Sequence, residues 1–201
     1  MTPSDLVEAE SYRILRSRLD LTGLPPLSRA VTERVIYATA DFDYVTDLVC
    51  DERALATGLA ALRRGAPVVA DELTVASGIT GHPVICKAGD SLAVRLARTA
   101  NITVSAAAVR LAFSAAGPGA LWLVGSAPAA LIEIMARYVE PALVIGVPVG
   151  FVGAADAKDA LRRSGLPSLS NLSEKGGPAV AVAAFEALLR LARDPEEEAD
   201  G

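Results

Sequence analysis

Short apolar runs alternate along this chain with longer stretches in which apolar residues recur at helical spacing. Residues 34–38 (Arg-Val-Ile-Tyr-Ala) predict a first strand, because β-branched and aromatic residues cluster there. An acidic start at Asp41 and Asp43 then opens a helical run to about residue 64. Residues 66–70 and 83–87 predict the second and third strands. Asp90 stands where its carboxylate can cap a helix over residues 91–99. The alanines of residues 103–113 predict a helix that stops before Gly117, Pro118 and Gly119. Residues 120–125 read as a strand, and Pro128 suits the first turn of a helix running to residue 138. Residues 142–146 are the most strand-like segment, and residues 168–171 form a weaker late one. Gly176 or Gly177 opens a final helix through residue 192, and residues 194–201 read as a flexible acidic tail.

Strands that are apolar almost throughout are buried on both faces, which predicts a parallel sheet covered by helices. The expectation is one domain over residues 1–193, a three-layer α/β/α fold with about five parallel strands. Ligands of such sheets bind beyond the carboxyl ends of the strands. Candidate functional residues therefore fall in segments 37–43, 71–78, 125–130, 146–153 and 171–177.

Composition narrows the function. Hydrophobic residues make up 52% of the 201 and aromatics only 4%, so alanine, valine and leucine must fill the core. A net charge of −5 with no basic run argues against a nucleic-acid binder, whose affinity comes largely from phosphate neutralisation. The uncharged stretch 111–132 is broken by glycines and prolines, so no membrane span is expected. The acidic N-terminal residues do not resemble a signal peptide, which places the expected location in the cytoplasm. Cys50 and Cys86 make neither a disulfide framework nor a metal-ligand spacing, and no metal or cofactor is expected. Dinucleotide and P-loop signatures are absent, as is a nucleophile elbow. His82, the single histidine, lies between Gly81 and Pro83 and reads as a surface or structural imidazole, which argues against a serine or cysteine hydrolase.

Two glycine-rich segments carry more. In residues 146–153 (Gly-Val-Pro-Val-Gly-Phe-Val-Gly) glycines around a proline let backbone approach a flat ligand closely, or simply make a turn. Lys158, one turn into the next helix, can meet a ligand carboxylate or face solvent. Glu174, Lys175, Gly176 and Gly177 place loose N–H groups at a helix start, where an anion can be held.

Taken in order, these segments resemble the precorrin-8X methylmutase family of cobalamin biosynthesis, from about Glu10 to Leu189. The landmarks are residues 11–15, 34–42 and 65–71 with Gly78 and Ile79, then residues 103–108, 125–128 and 146–153 with Lys158, and residues 175–177. The resemblance implies a flavodoxin-like fold, a homodimer with its ligand groove at or near the subunit interface, and a small-molecule substrate. It also implies the transfer of a methyl group between adjacent ring carbons of a corrin precursor, giving hydrogenobyrinic acid or its cobalt form. Residue by residue, it places Tyr37 where the family has its catalytic histidine. It assigns substrate contacts to Ser11, Asp71, Thr74, Thr103, Val104, Ser105, Ser126, Pro128, Gly150, Lys158, Lys175, Gly176 and Gly177.

The chain also departs from the family pattern. Val104 replaces an arginine, Ser126 an asparagine, Pro178 a serine and Glu186 an asparagine, while the fold-bearing glycines, prolines and alanines remain. The methyl shift needs an acid at a ring nitrogen, for which histidine is suited and a phenol is weaker. Four readings are open: a methylmutase with Tyr37 in the histidine's place, a divergent relative acting on a less carboxylated ligand, a non-catalytic tetrapyrrole-binding protein, or an unrelated flavodoxin-like flavin carrier or receiver, against which the absent phosphate loop and acidic cluster argue.

Overall fold

The computed structural model describes residues 3–137 and 139–193. Among these the order is α1 (Pro3–Arg18), α2 (Pro26–Thr39), α3 (Tyr44–Asp47), β1 (Leu48–Cys50), α4 (Glu52–Arg63), β2 (Val68–Ala70), α5 (Leu73–Gly78) and β3 (Ile85–Cys86). There follow α6 (Ser91–Ala100), α7 (Val104–Ala116), β4 (Leu121–Val124), α8 (Pro128–Ala136), β5 (Leu143–Gly146), α9 (Ala154–Arg163), β6 (Ser168–Asn171) and α10 (Pro178–Arg193). The strands line up as β1-β6-β5-β4-β2-β3. Strands β2 to β6 are parallel, as expected, but β1 runs antiparallel to β6, with Leu48 opposite Asn171. The expected α/β class with five parallel strands is thus present, with one correction: a sixth, antiparallel edge strand makes the sheet mixed.

Two further expectations are corrected. Residues 34–38 are not a strand; they lie inside α2. Leu27, Val31 and Val35 recur every four residues and bury one stripe, Pro26 sits at the helix start, and Ala40 closes the helix in a left-handed conformation with its N–H on the Ile36 carbonyl. The β-branched pair Val35-Ile36 mimics a strand because α2 packs along α10, burying neighbouring residues and not alternate ones. The helical run expected over residues 41–64 is interrupted by β1, and α4 restarts after it with the Asp51 carboxylate accepting from the N–H groups of Arg53 and Ala54. The expected ends of other elements agree to within a few residues; Tyr138 and the 194–201 tail lie outside the described residues.

Strand alternation divides the core between the two sheet faces. Leu121, Leu123, Leu143, Ile145 and Leu169 face α2, α4 and α10, which supply Val31, Leu55 and Phe185. Trp122, Val124, Val69 and Val144 face α7, α8 and α9, which supply Val109, Ile134 and Leu161. Each fully buried leucine contributes about 2–3 kcal/mol, so these central strands anchor everything at their ends. No helix among the described residues is long and apolar enough to cross a membrane.

Candidate functional site

Strands β2 to β6 end at one edge of the sheet. The chain reverses direction there: β3 lies on one side of β2 and β4 on the other, which makes the crevice between β2 and β4 the topological switch point. Helix α7 leads through the turn at residues 117–120 into β4, so its first residues, Val104 and Ser105, lie at this carboxyl edge. Ala108, one turn further on, lines a small cavity with Asp71, Trp122 and Val124. Segments dispersed through the sequence thus converge: 71–74, 103–105, 125–128, 147–153 and 171–177. Residues 41–43 join them through an ion pair with Lys175.

At the switch point itself stands Asp71. Its carboxylate accepts from the N–H groups of Gly125 (3.1 Å), Ser126 (2.9 Å) and Ala127 (2.9 Å). Burial raises its pKa, while the N–H groups of Ala127, Ser126 and Gly125 oppose the shift. This carboxylate, which the resemblance assigned to substrate, shapes the turn that leads into α8. Gly125 is needed in that turn, since a Cβ there would lie 2.9 Å from the Pro178 Cα at the start of α10.

Lys158 also departs from expectation. It neither faces solvent nor reaches outward: the side chain is completely buried, and the ammonium donates to Asn171 Oδ1 (2.9 Å), the Lys175 carbonyl (2.7 Å) and the Ser173 carbonyl. Asn171 in turn donates to Asp47 Oδ2 (2.8 Å) and the Lys175 carbonyl (2.8 Å). Asp47 accepts from the N–H of Leu172 and from both N–H and hydroxyl of Ser173. Burial pushes the Lys158 pKa down to about 8; Arg162 acts the same way, and Asp47 and Glu174 oppose it. The loop so held carries Lys175, whose ammonium pairs with Asp41 (2.7 Å) and Asp43 (2.6 Å). Those hydrogen bonds raise the pKa of Lys175, and the bond from Lys175 lowers that of Asp41. Gly176 lies against β5's exit, where a Cβ would come 2.2 Å from the Val147 carbonyl oxygen, and Gly177 donates to that same oxygen.

Tyr37 is on the last turns of α2, not at a strand end. Its ring stacks on Tyr12 of α1 (centroids 5.1 Å apart, planes 7° apart), and the Arg34 guanidinium lies 5.1 Å from its centroid. Arg34 is pinned by Glu8 (2.9 Å) and Glu186 (2.7 Å), and its buried Nε has no hydrogen-bond partner. Burial works against the charge of Arg34, but hydrogen bonds with Glu186 and Tyr12 outweigh it and raise the pKa. Burial raises that of Tyr12. Helices α2 and α7 cover opposite sheet faces, so Tyr37 and Val104 approach the edge from opposite sides.

The remaining residues lie along this rim, except Ser11, which is on α1. Thr103 caps α7 by accepting from the Ala106 N–H, and Val104 beside it is exposed. Ser105 and Ser126 are half-buried, Pro128 starts α8, and Thr74 is exposed on α5. Gly150 (φ 144°) donates to the Glu174 carbonyl, tying the β5–α9 loop to the β6–α10 loop. Ser11 bonds back to the Val7 carbonyl on α1. Among the described residues no group of three or more His, Cys, Asp or Glu side chains could hold a metal ion.

A family model described as precorrin-8X methylmutase matches residues 6–191. The chain belongs to the precorrin-8X methylmutase family. It is similar to the cobalt-precorrin-8 methylmutase of Salmonella typhimurium, 38% identical over 94% of this chain and 95% of that one. The precorrin-8X methylmutase of Pseudomonas aeruginosa is 35% identical over 89% and 91%. A crystal structure of precorrin-8x methyl mutase from Thermus thermophilus superposes with a TM-score of 0.87 at 35% identity, covering 95% of this chain and 97% of that one.

Within this methylmutase-family chain, the geometry adds Tyr12, Arg34 and Asp47, and gives Asn171 and Ser173, which lay in a candidate segment with no role of their own, a place in the Lys158 network. Asp47 carried no local signal, and its partnership with Asn171 spans 124 positions. Glu186, noted only as a departure, acquires a place: it holds the arginine beside Tyr37.

Proposed function

We propose that this chain binds a corrin precursor at the carboxyl edge of its sheet and acts as an isomerase of the methylmutase kind, in the cytoplasm and as a homodimer. The observation that carries this is convergence: segments from residue 41 to residue 177 that match the family in sequence meet at one edge, around the switch point of the sheet. Phe151 and Val152, 96% and 90% exposed at that edge, supply apolar surface for a flat macrocycle or a second subunit. In this reading Tyr37 offers the ring nitrogen a phenolic hydrogen bond where an imidazolium would deliver a proton. A phenol is about 3.5 units weaker as an acid, up to about 5 kcal/mol of driving force. Turnover of precorrin-8X is therefore expected three to four orders of magnitude below that of histidine-bearing relatives, about what that energy predicts. Conversion at rates near theirs would overturn the role given to Tyr37.

A second reading is favoured by Val104. This exposed valine stands beside the α7 cap, where an arginine would pair with a substrate carboxylate. A relative acting on a less carboxylated ligand would need no such partner. Spectroscopic titration with hydrogenobyrinic acid separates the two, using wild type and the double variant Tyr37→His with Val104→Arg. The first reading expects tight binding by wild type; the second expects tight binding only once the arginine is present.

A further inference from the structure

We propose that Lys158 is a positioning residue: its ammonium fixes the 172–177 loop in the shape that presents Lys175 and the start of α10 to the ligand. This rests on the ligand site proposed above. A protonated lysine has three N–H donors, and here three acceptors surround it: Asn171 Oδ1 and the carbonyls of Ser173 and Lys175. Two of the three belong to the loop backbone, and the third belongs to the residue whose amide also donates to the Lys175 carbonyl. With those carbonyls drawn inward, Lys175 is directed toward Asp41 and Asp43, and Gly177 remains in reach of the Val147 oxygen. A neutral amine has only two donors and turns a lone pair toward the third oxygen, so deprotonation removes one of the three bonds that draw the loop inward and leaves its carbonyls to the Asn171 amide.

The loop should consequently loosen as Lys158 loses its proton, and burial brings that event down to about pH 8. The charged groups around the ammonium are Asp47 from α3, Glu174 from the loop and Arg162 from its own helix, with Asp159 paired to Arg162. Lys175, with Asp41 and Asp43 beyond it, adjoins through its carbonyl. Lys175 itself holds its proton far above this range, and ligand carboxylates stay ionised throughout it. A fall in affinity near pH 8 thus reports on Lys158.

The test uses hydrogenobyrinic acid as probe and the full chain, titrated from pH 6.5 to 9.5. Wild type is expected to lose up to about tenfold in affinity per pH unit above about 8. Lys158→Arg, which stays protonated, should flatten that limb, and Asp47→Asn, which removes a charge favouring the ammonium, should move it to lower pH. In the ligand-free protein Lys158→Met should speed amide exchange of residues 172–177 at least tenfold. An affinity constant to pH 9.5, or a limb that persists in Lys158→Arg, overturns the inference while leaving the corrin site standing. Should wild type fail to bind the probe at pH 7, the site reading fails, and unchanged exchange in Lys158→Met would then overturn the positioning role on its own.

Discussion

Asp71 and Lys158 carry opposite charges, and both are buried at the same edge of the sheet with their hydrogen bonds directed at loop backbone. The carboxylate collects three N–H groups from residues 125–127, and the ammonium collects two carbonyls from residues 173 and 175 together with the Asn171 amide oxygen. Each turns a strand exit into a fixed shape, one leading into α8 and the other into α10. The family resemblance assigned both to substrate contacts, and Asp71 also stands just beyond a strand, where ligands of such sheets are met. The difference lies in what surrounds them. Asp71 is reinforced only by backbone of one turn, whereas Lys158 is one member of a network with Asp47, Asn171 and Ser173.

The largest expected effect removes the more isolated charge. Asp71→Ala should destabilise the fold by about 3–5 kcal/mol in urea unfolding, because three N–H groups lose their acceptor at once. Lys158→Met should cost less, about 1–3 kcal/mol, since methionine fills the stem's volume and the cost of burying a charge disappears with it. A reversed ranking would break the comparison, showing the Lys158 network to be the stronger support.

The pH dependence should differ in sign. The pKa of Asp71 is raised by folding, so the folded state holds the proton more tightly, and this group's contribution to stability is present at low pH and lost as pH rises through the raised value. Lys158 is depressed to about 8, so the unfolded chain binds more protons between there and about 10.5; its contribution grows as pH rises across that window. Urea midpoints of wild type against Asp71→Asn at acidic pH, and against Lys158→Met at alkaline pH, should show these opposing slopes. Parallel slopes would mean that one of the two groups is not buried in solution. Global stability and loop order part company here: losing the proton relieves a buried charge and at the same time removes one of the three bonds from Lys158 that hold the loop.

The smallest effect is expected for Lys175→Met. Its ion pairs with Asp41 and Asp43 are half-exposed and screened by salt, so the melting midpoint should move no more than repeated scans scatter, and less still in about 0.5 M salt. A large drop would show that the outer clasp of the 172–177 loop matters as much as the inner one.

The sequence by itself determined the central strands, their capped helices and the set of segments that meet at the carboxyl edge. Those features are local: apolar runs at residues 120–125 and 142–146 bury on both faces, and Asp90 and Thr103 cap helices through N–H groups two or three residues away. The helical nature of residues 34–38 was also legible, in the four-residue spacing of Leu27, Val31 and Val35 behind Pro26, but the β-branched pair outweighed it. Strand β1, three residues long, is too short to show a period, and its pairing with β6 joins Leu48 to Asn171 across most of the chain. Only the tertiary structure decided where the charges went. Asp71 finds its N–H groups 54 to 56 residues away, and Asp47 its partners 124 to 126 away. A charged side chain in a sequence advertises that it must be satisfied; whether a ligand or the protein's own backbone satisfies it depends on what folding brings within 3 Å.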